Sequence, residues 1–182
     1  MGKLYITGMG ADRPGMVAAI TDVIFKYSGN IEESSMTILA GQFTFIVIAS
    51  FAENVNLDVI MDSYKQVQTD KGCTVFVQRM DDDSERPDVP EFEEMPYMIS
   101  IAGDDRTGIT AYFTKILAMH KASITDLNAK TINGENGPAY VLMIECLLPK
   151  QLNRQQFEQD LAKQGEALNV EVTYHPLELV AL

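Results

Sequence analysis

Gly10-Ala11-Asp12-Arg13-Pro14-Gly15 and, 93 residues later, Gly103-Asp104-Asp105-Arg106-Thr107-Gly108 are the stretches on which the reading of this chain turns. Each hexapeptide follows a short strand-like run, Lys3–Gly8 or Tyr97–Ala102. Each also precedes apolar residues at helical spacing: Val17, Ile20, Ile24 and Tyr27 in the first case, Ile109, Phe113, Ile116, Leu117 and His120 in the second. The same offset lays Thr21 over Thr114, Ile24 over Leu117 and Ile31 over Ile124. Two copies of so long a unit mean paired domains, since a solenoid needs about three repeats or more.

Outward from each hexapeptide the order of elements repeats. Pro14 and Gly29 bracket the first helix as a start and a stop. Asn30–Ala40 and Ser123–Ile132 read as strands, followed by turns at Gly41-Gln42 and Asn133–Gly137 and by β-prone runs, Phe43–Phe51 and Ala139–Leu148. Leu57, Ile60, Tyr64 and Val67 mark a second helix, as Phe157, Leu161 and Leu168 do in the other copy, and Cys73–Arg79 and Asn169–His175 are the closing strands. The expected fold class is α+β: two tandem ferredoxin-like βαββαβ domains, each a four-stranded antiparallel sheet with both helices on one face and its first and third strands central. In the third strand Phe43, Phe45, Val47 and Ala49 alternate with the equally apolar Ile46 and Ile48. The face away from the helices therefore needs a cover, either the sister domain or a second chain.

The expected domains are 1–80 and 97–182, joined at 81–96 by an acidic linker. Of the net charge of -12, Asp81–Glu94 supplies -7, with eight acidic side chains opposed only by Arg86. With Pro87, Pro90 and Pro96 it reads as an extended, solvated spacer, or as a docking strip for a basic partner. The 14 Lys and Arg against 26 Asp and Glu, with no basic helix stripe, argue against direct nucleic-acid contact. No apolar run approaches the roughly 20 residues of a membrane span, and Met1-Gly2-Lys3 leads straight into a strand, so a cytoplasmic location is expected. Cys73 and Cys146 stand at non-equivalent places in apolar strands and read as buried thiols, with no disulfide, metal or cofactor implied. His120 sits on an apolar helix stripe and His175 beside Pro176, and no catalytic motif accompanies them. The remaining catalytic reading, Arg13 and Asn30 around an acyl phosphate, lacks the phosphate loop that such chemistry uses.

The hexapeptide itself suggests binding. Gly10 and Gly15 let the chain turn sharply, and the helix opening at Pro14–Val17 has first-turn amides without intrahelical partners. Such amides, at the positive end of the helix dipole, suit a carboxylate. Asp12 can then receive an ammonium group and Asn30 can supply an amide, which completes the contacts an α-amino acid requires. Asp12 and Asp105 also have a plainer reading, as N-caps of their own helices.

A βαββαβ unit with GxDRPG between first strand and first helix, and with Asn30-Ile31 opening its second strand, resembles the ACT domain, a small regulatory module that senses amino acids. Both halves fit. GADRPGMV and the run GNIEESSMTILAGQFTFIV from Gly29 further resemble the tandem-ACT repressors of glycine cleavage. The resemblance implies a small amino acid, glycine first, held where two domains meet, between this loop of one and the second-strand opening of the other. It implicates Asp12, Arg13, Gly15, Met16, Asn30 and Ile31, with Asp105, Gly108, Ile109, Ser123 and Ile124 as the sister positions. Thr107 replaces the proline and Ser123 the asparagine in the second copy, which makes one site per chain the expectation. It further implies a DNA-binding regulatory protein as partner; an oligomer of this chain is one of the two ways to cover the apolar sheet face.

Overall fold

A computed structural model describes residues 2–52, 55–80, 89–134 and 137–177. The chain divides into two units, Met1–Arg86 and Pro87–Leu182. The first runs β1 (Gly2–Ala11), α1 (Met16–Lys26), β2 (Asn30–Leu39), β3 (Gln42–Phe51), α2 (Leu57–Lys71) and β4 (Cys73–Arg79). The second runs β5 (Tyr97–Asp104), α3 (Ile109–Met119), β6 (Ser123–Gly134), β7 (Gly137–Leu147), α4 (Arg154–Leu168) and β8 (Val170–Pro176). Their sheets are ordered β2-β3-β1-β4 and β6-β7-β5-β8, antiparallel throughout. This is the expected doubled ferredoxin-like fold, with β1 and β3, and β5 and β7, at the sheet centres. No described helix is long and apolar enough to cross a membrane.

Alternation along the strands sets the core. Leu4 and Ile6 of β1 and Phe43, Phe45, Val47 and Ala49 of β3 face the helices, where Ile20 and Ile24 of α1 and Ile60 and Tyr64 of α2 meet them. Ile99, Ile101, Leu142 and Ile144, under Phe113, Leu117, Phe157 and Leu161, form the second core. Each large apolar side chain so buried contributes about 1.5–3 kcal/mol. Tyr64 Oη, in the first core, donates to the Ile20 carbonyl at 3.0 Å and ties α2 to α1. In the second unit the tie is His120 Nε2 to Asp160 at 2.8 Å, with the ring edge-on to Phe157, so the histidine read from the α3 stripe is a packed boundary residue. On the other face of the first sheet Met9, Ile46 and Phe76 are exposed, Phe76 by 67%. Ile46 and Phe76 flank Thr7 in register, giving an uncharged row across three strands.

Of the acidic stretch 81–96, residues 81–88 lie outside the described residues. The rest is bound to the second unit and differs there from a solvated spacer. Phe92 bridges Pro149, the Glu93 amide donates to the Leu148 carbonyl at 2.8 Å, and the Lys150 amide donates to the Glu91 carbonyl at 2.9 Å. Arg154 fixes the end of this segment, donating to both Glu93 carboxylate oxygens at 2.7 and 2.6 Å and to Tyr97 Oη at 2.7 Å. A second guanidinium nitrogen reaches Tyr174 Oη at 2.7 Å. Charge pattern alone marks this stretch as acidic; only the folded second unit brings a cation to Glu93. The turn expected at 133–137 is shorter, because β6 and β7 pair out to Gly134 and Gly137.

Candidate functional site

The β1–α1 loop departs from its plainer reading. Gly15, at φ 86°, is itself the N-cap of α1, and no side chain caps the helix; Gly108, at φ 97°, does the same for α3. A left-handed φ is cheap only for glycine, which explains why both hexapeptides end in one. Asp12 and Asp105 are therefore not N-caps. Instead the Asp12 amide donates to the Gly41 carbonyl at 2.9 Å, and the Met16 amide to the Arg13 carbonyl at 3.3 Å. Among the described residues, the amides of Val17 and Ala18 meet no acceptor, and the exposed side chains of Asp12 and Arg13 have no hydrogen-bond or ion-pair partner.

The second copy is built differently around the same backbone. Asp105 accepts the Thr131 hydroxyl at 3.2 Å, and Arg106 pairs with Asp104 at 3.6 Å, where the first copy has Ala11. Asp105 and Arg106 thus find partners within the unit; among the described residues Asp12 and Arg13 do not.

Lys71, which no sequence pattern singles out, completes the first loop. Its Nζ lies so close to Gly15 that a β-carbon built there would be 3.4 Å away. An ammonium at the positive end of α1 is unfavourable by itself and attractive to an anion. The second unit has Leu168 at the corresponding end of α4.

Two expected ligand residues turn inward. Met16 and Ile109 are 3% and 2% exposed and belong to the cores, so only their backbones face the loops. Asn30, expected to supply an amide to the site, lies at the far end of β2, while Ile31 shares a cleft with Val17 of α1. Asn30 pairs with Ser50, whereas the loop meets the Gly41 turn, at the opposite end of β2. The ten residues of β2 put roughly 30 Å between them. Helix α1 returns the chain to the far edge before β2 begins, which is why sequence proximity misleads. Ser123 and Ile124 stand equally far from Asp105 and Gly108 along β6, Ser123 being paired with Leu147.

Beside the loop, α1 and β2 splay to leave a cleft of about 120 Å³. Ile20, Phe43, Phe45 and Val47 form its buried floor, and the half-exposed Val17, Ile31 and Met36 its mouth.

The ACT domain model matches residues 3–78 and 96–175, one copy on each unit. This chain belongs to the ACT domain family. The glycine cleavage system transcriptional repressor of Escherichia coli is 29% identical over 142 residues, covering 78% of this chain and 72% of that one. Among solved structures, an unknown protein from Galdieria sulphuraria superposes with a TM-score of 0.81 at 21% identity, covering 97% of this chain and 99% of that one. A candidate glycine cleavage system transcriptional repressor does so with a TM-score of 0.72 at 19% identity, covering 97% and 98%. These two likenesses speak for the tandem ACT fold alone.

Proposed function

We propose that this tandem ACT protein is an amino-acid-responsive regulator whose ligand-binding loop is that of the first unit, with 1–80 and 97–182 as its domains. The observation that carries this reading is the contrast between the loops. Among the described residues the first leaves the side chains of Asp12, Arg13 and Lys71 unengaged, while in the second Asp105 and Arg106 have partners; unpaired first-turn amides, those of Val17 and Ala18 in the first, are common to both. Amides and ammonium suit the carboxylate of an α-amino acid, and Asp12 suits its ammonium. Asn30 and Ile31 join the site when the β2 edge of a second copy runs antiparallel to β2, which carries the opening of one strand to the loop end of the other. That edge is free for pairing: all ten residues of β2 are exposed, and none from Ser34 to Leu39 is charged.

Glycine is the first ligand to test, given the name of the Escherichia coli relative. It is too small to gain more than about 7.5 kcal/mol, a dissociation constant of order micromolar or weaker, which suits a metabolite sensor. With 26 acidic against 14 basic residues, control of transcription would run through a DNA-binding protein partner and not through direct contact with DNA. The role is regulatory and not catalytic. Calorimetry of the full chain against the twenty amino acids, with sedimentation to follow the oligomer, tests the reading. Saturable binding that Asp12→Asn weakens supports it; no binding by any amino acid refutes it.

A further inference from the structure

We infer that the cleft between α1 and β2 of the first unit takes the side chain of an aliphatic amino acid, so that leucine, isoleucine or valine binds more tightly than glycine. The inference rests on the amino-acid reading above and names the ligand class within it.

The cleft has the size and chemistry for such a group. Cavities of about 150 Å³ lined by Leu, Ile and Phe stay dry and accept small apolar molecules. This one, at about 120 Å³, has a floor of Ile20, Phe43, Phe45 and Val47 and no charged residue in its lining. Its polar lining is confined to Thr21, whose hydroxyl donates to the Ala18 carbonyl at 3.2 Å, and to Ser34 and Ser35 on the exposed β2. A branched aliphatic chain on the apolar floor leaves the exposed Ser34 and Ser35 to solvent, whereas a charged side chain would be desolvated against phenyl rings.

The sister unit shows what closure of this place looks like. Thr110 stands where the first unit has Val17, and Tyr140 pairs with Gly103 as Phe43 pairs with Gly10. Thr110 and Tyr140 are joined hydroxyl to hydroxyl at 2.7 Å, across the gap between α3 and the sheet. In the first unit both hydroxyls are missing, nothing ties Val17 to Phe43, and the gap is open to an apolar occupant.

The cleft is also continuous with the polar loop. Val17 contributes its side chain to the mouth and its unengaged amide to the first turn of α1, beside Gly15 and Lys71. A carboxylate on those amides places its own aliphatic chain over the mouth. Anionic head and apolar tail are thus matched by neighbouring surfaces.

Calorimetry on the full chain with glycine, valine, leucine and glutamate tests this. Leucine and valine should bind about tenfold or more tightly than glycine, from burial of their extra carbons, and glutamate no more tightly than glycine. Ser34→Leu, at an exposed position lining the cleft, should fill it and bring the leucine-to-glycine ratio toward one. A measurement independent of any variant is the nuclear Overhauser effect from ¹³C-methyl leucine, which should reach the Phe43 and Phe45 rings. Equal binding of glycine and leucine, or methyl contacts elsewhere, would overturn the inference while leaving the amino-acid reading intact. Failure of every amino acid to bind would overturn both.

Discussion

Replacing Lys71 with methionine removes one charge from the head of α1 and keeps the unbranched side chain but for its terminal atom. Lys71 Nζ would stand 3.4 Å from a Gly15 β-carbon, so it borders the head of α1, and a carboxylate bound there is taken to stand about 4 Å from it. Two unit charges at about 4 Å attract by about 1 kcal/mol in water and about 4 kcal/mol at an effective dielectric of 20. Lys71 is only partly buried, so the lower end governs, and about 1.4 kcal/mol, a tenfold loss of affinity, is the expected outcome. Calorimetry with glycine and with leucine at low and at about 0.5 M salt reads it directly. Wild-type binding should weaken as salt rises, the methionine variant should respond much less, and Lys71→Arg should retain most of the affinity. Lys71 also sits in the last turn of α2, where its charge favours the helix by about 0.3–1 kcal/mol, so thermal melts must first show the variant folded. A folded Lys71→Met chain that binds within about twofold of wild type at low salt would refute the electrostatic argument.

Gly15→Ala should cost about 1–2 kcal/mol in urea unfolding, because its φ of 86° suits no β-carbon, and Gly108→Ala should cost more, with Tyr112 Cε2 only 3.0 Å from the added atom. Arg154→Ala should destabilise the second unit by about 1–2 kcal/mol, a figure held down by the 41% exposure of the side chain, and should make Glu91–Glu93 newly sensitive to limited proteolysis. Hydrogen bonds from His120, then Gln156, lower the pKa of Asp160. Its contribution is therefore present above the unfolded carboxylate range and lost as pH falls through the folded value, so Asp160→Asn should flatten the loss of melting temperature on acidification below about pH 4. Burial pushes the Cys146 thiol up to about 11 and raises that of Cys73, so neither should react with Ellman's reagent at pH near 8 until urea unfolds the chain.

Much of the fold can be read from the chain because it depends on local periodicity. Alternation in Phe43–Phe51 and the 3.6-residue spacing after each hexapeptide give the elements in order, and the internal repeat gives their number. Gly15 and Gly108 are legible too, since a sharp turn into a helix has few other solutions; Gly10 and Gly103, by contrast, make no turn but lie in β1 and β5, where Cys73 and Val170 leave no room for a β-carbon. Site residues are harder. Asp12 and Asp105 look like N-caps in sequence, yet Gly15 and Gly108 take that position, leaving the Asp105 carboxylate to Thr131 and that of Asp12 without a partner among the described residues. Asn30 looks adjacent to the loop, yet α1 carries the chain to the opposite end of the sheet before β2 begins.

Sequence alone determined that this is a doubled βαββαβ chain with a glycine-flanked acidic-basic loop in each half, because strand and helix patterns are properties of neighbours along the backbone. Only the tertiary structure decided which loop is open. Lys71 reaches Gly15 from the far end of another helix, and Thr131 reaches Asp105 from a different strand. The Thr110–Tyr140 bond, with its missing counterpart at Val17 and Phe43, exists only once strand register has set which side chains face one another. Those contacts join residues far apart in the chain, and packing geometry, which no local pattern encodes, is what brings them within reach.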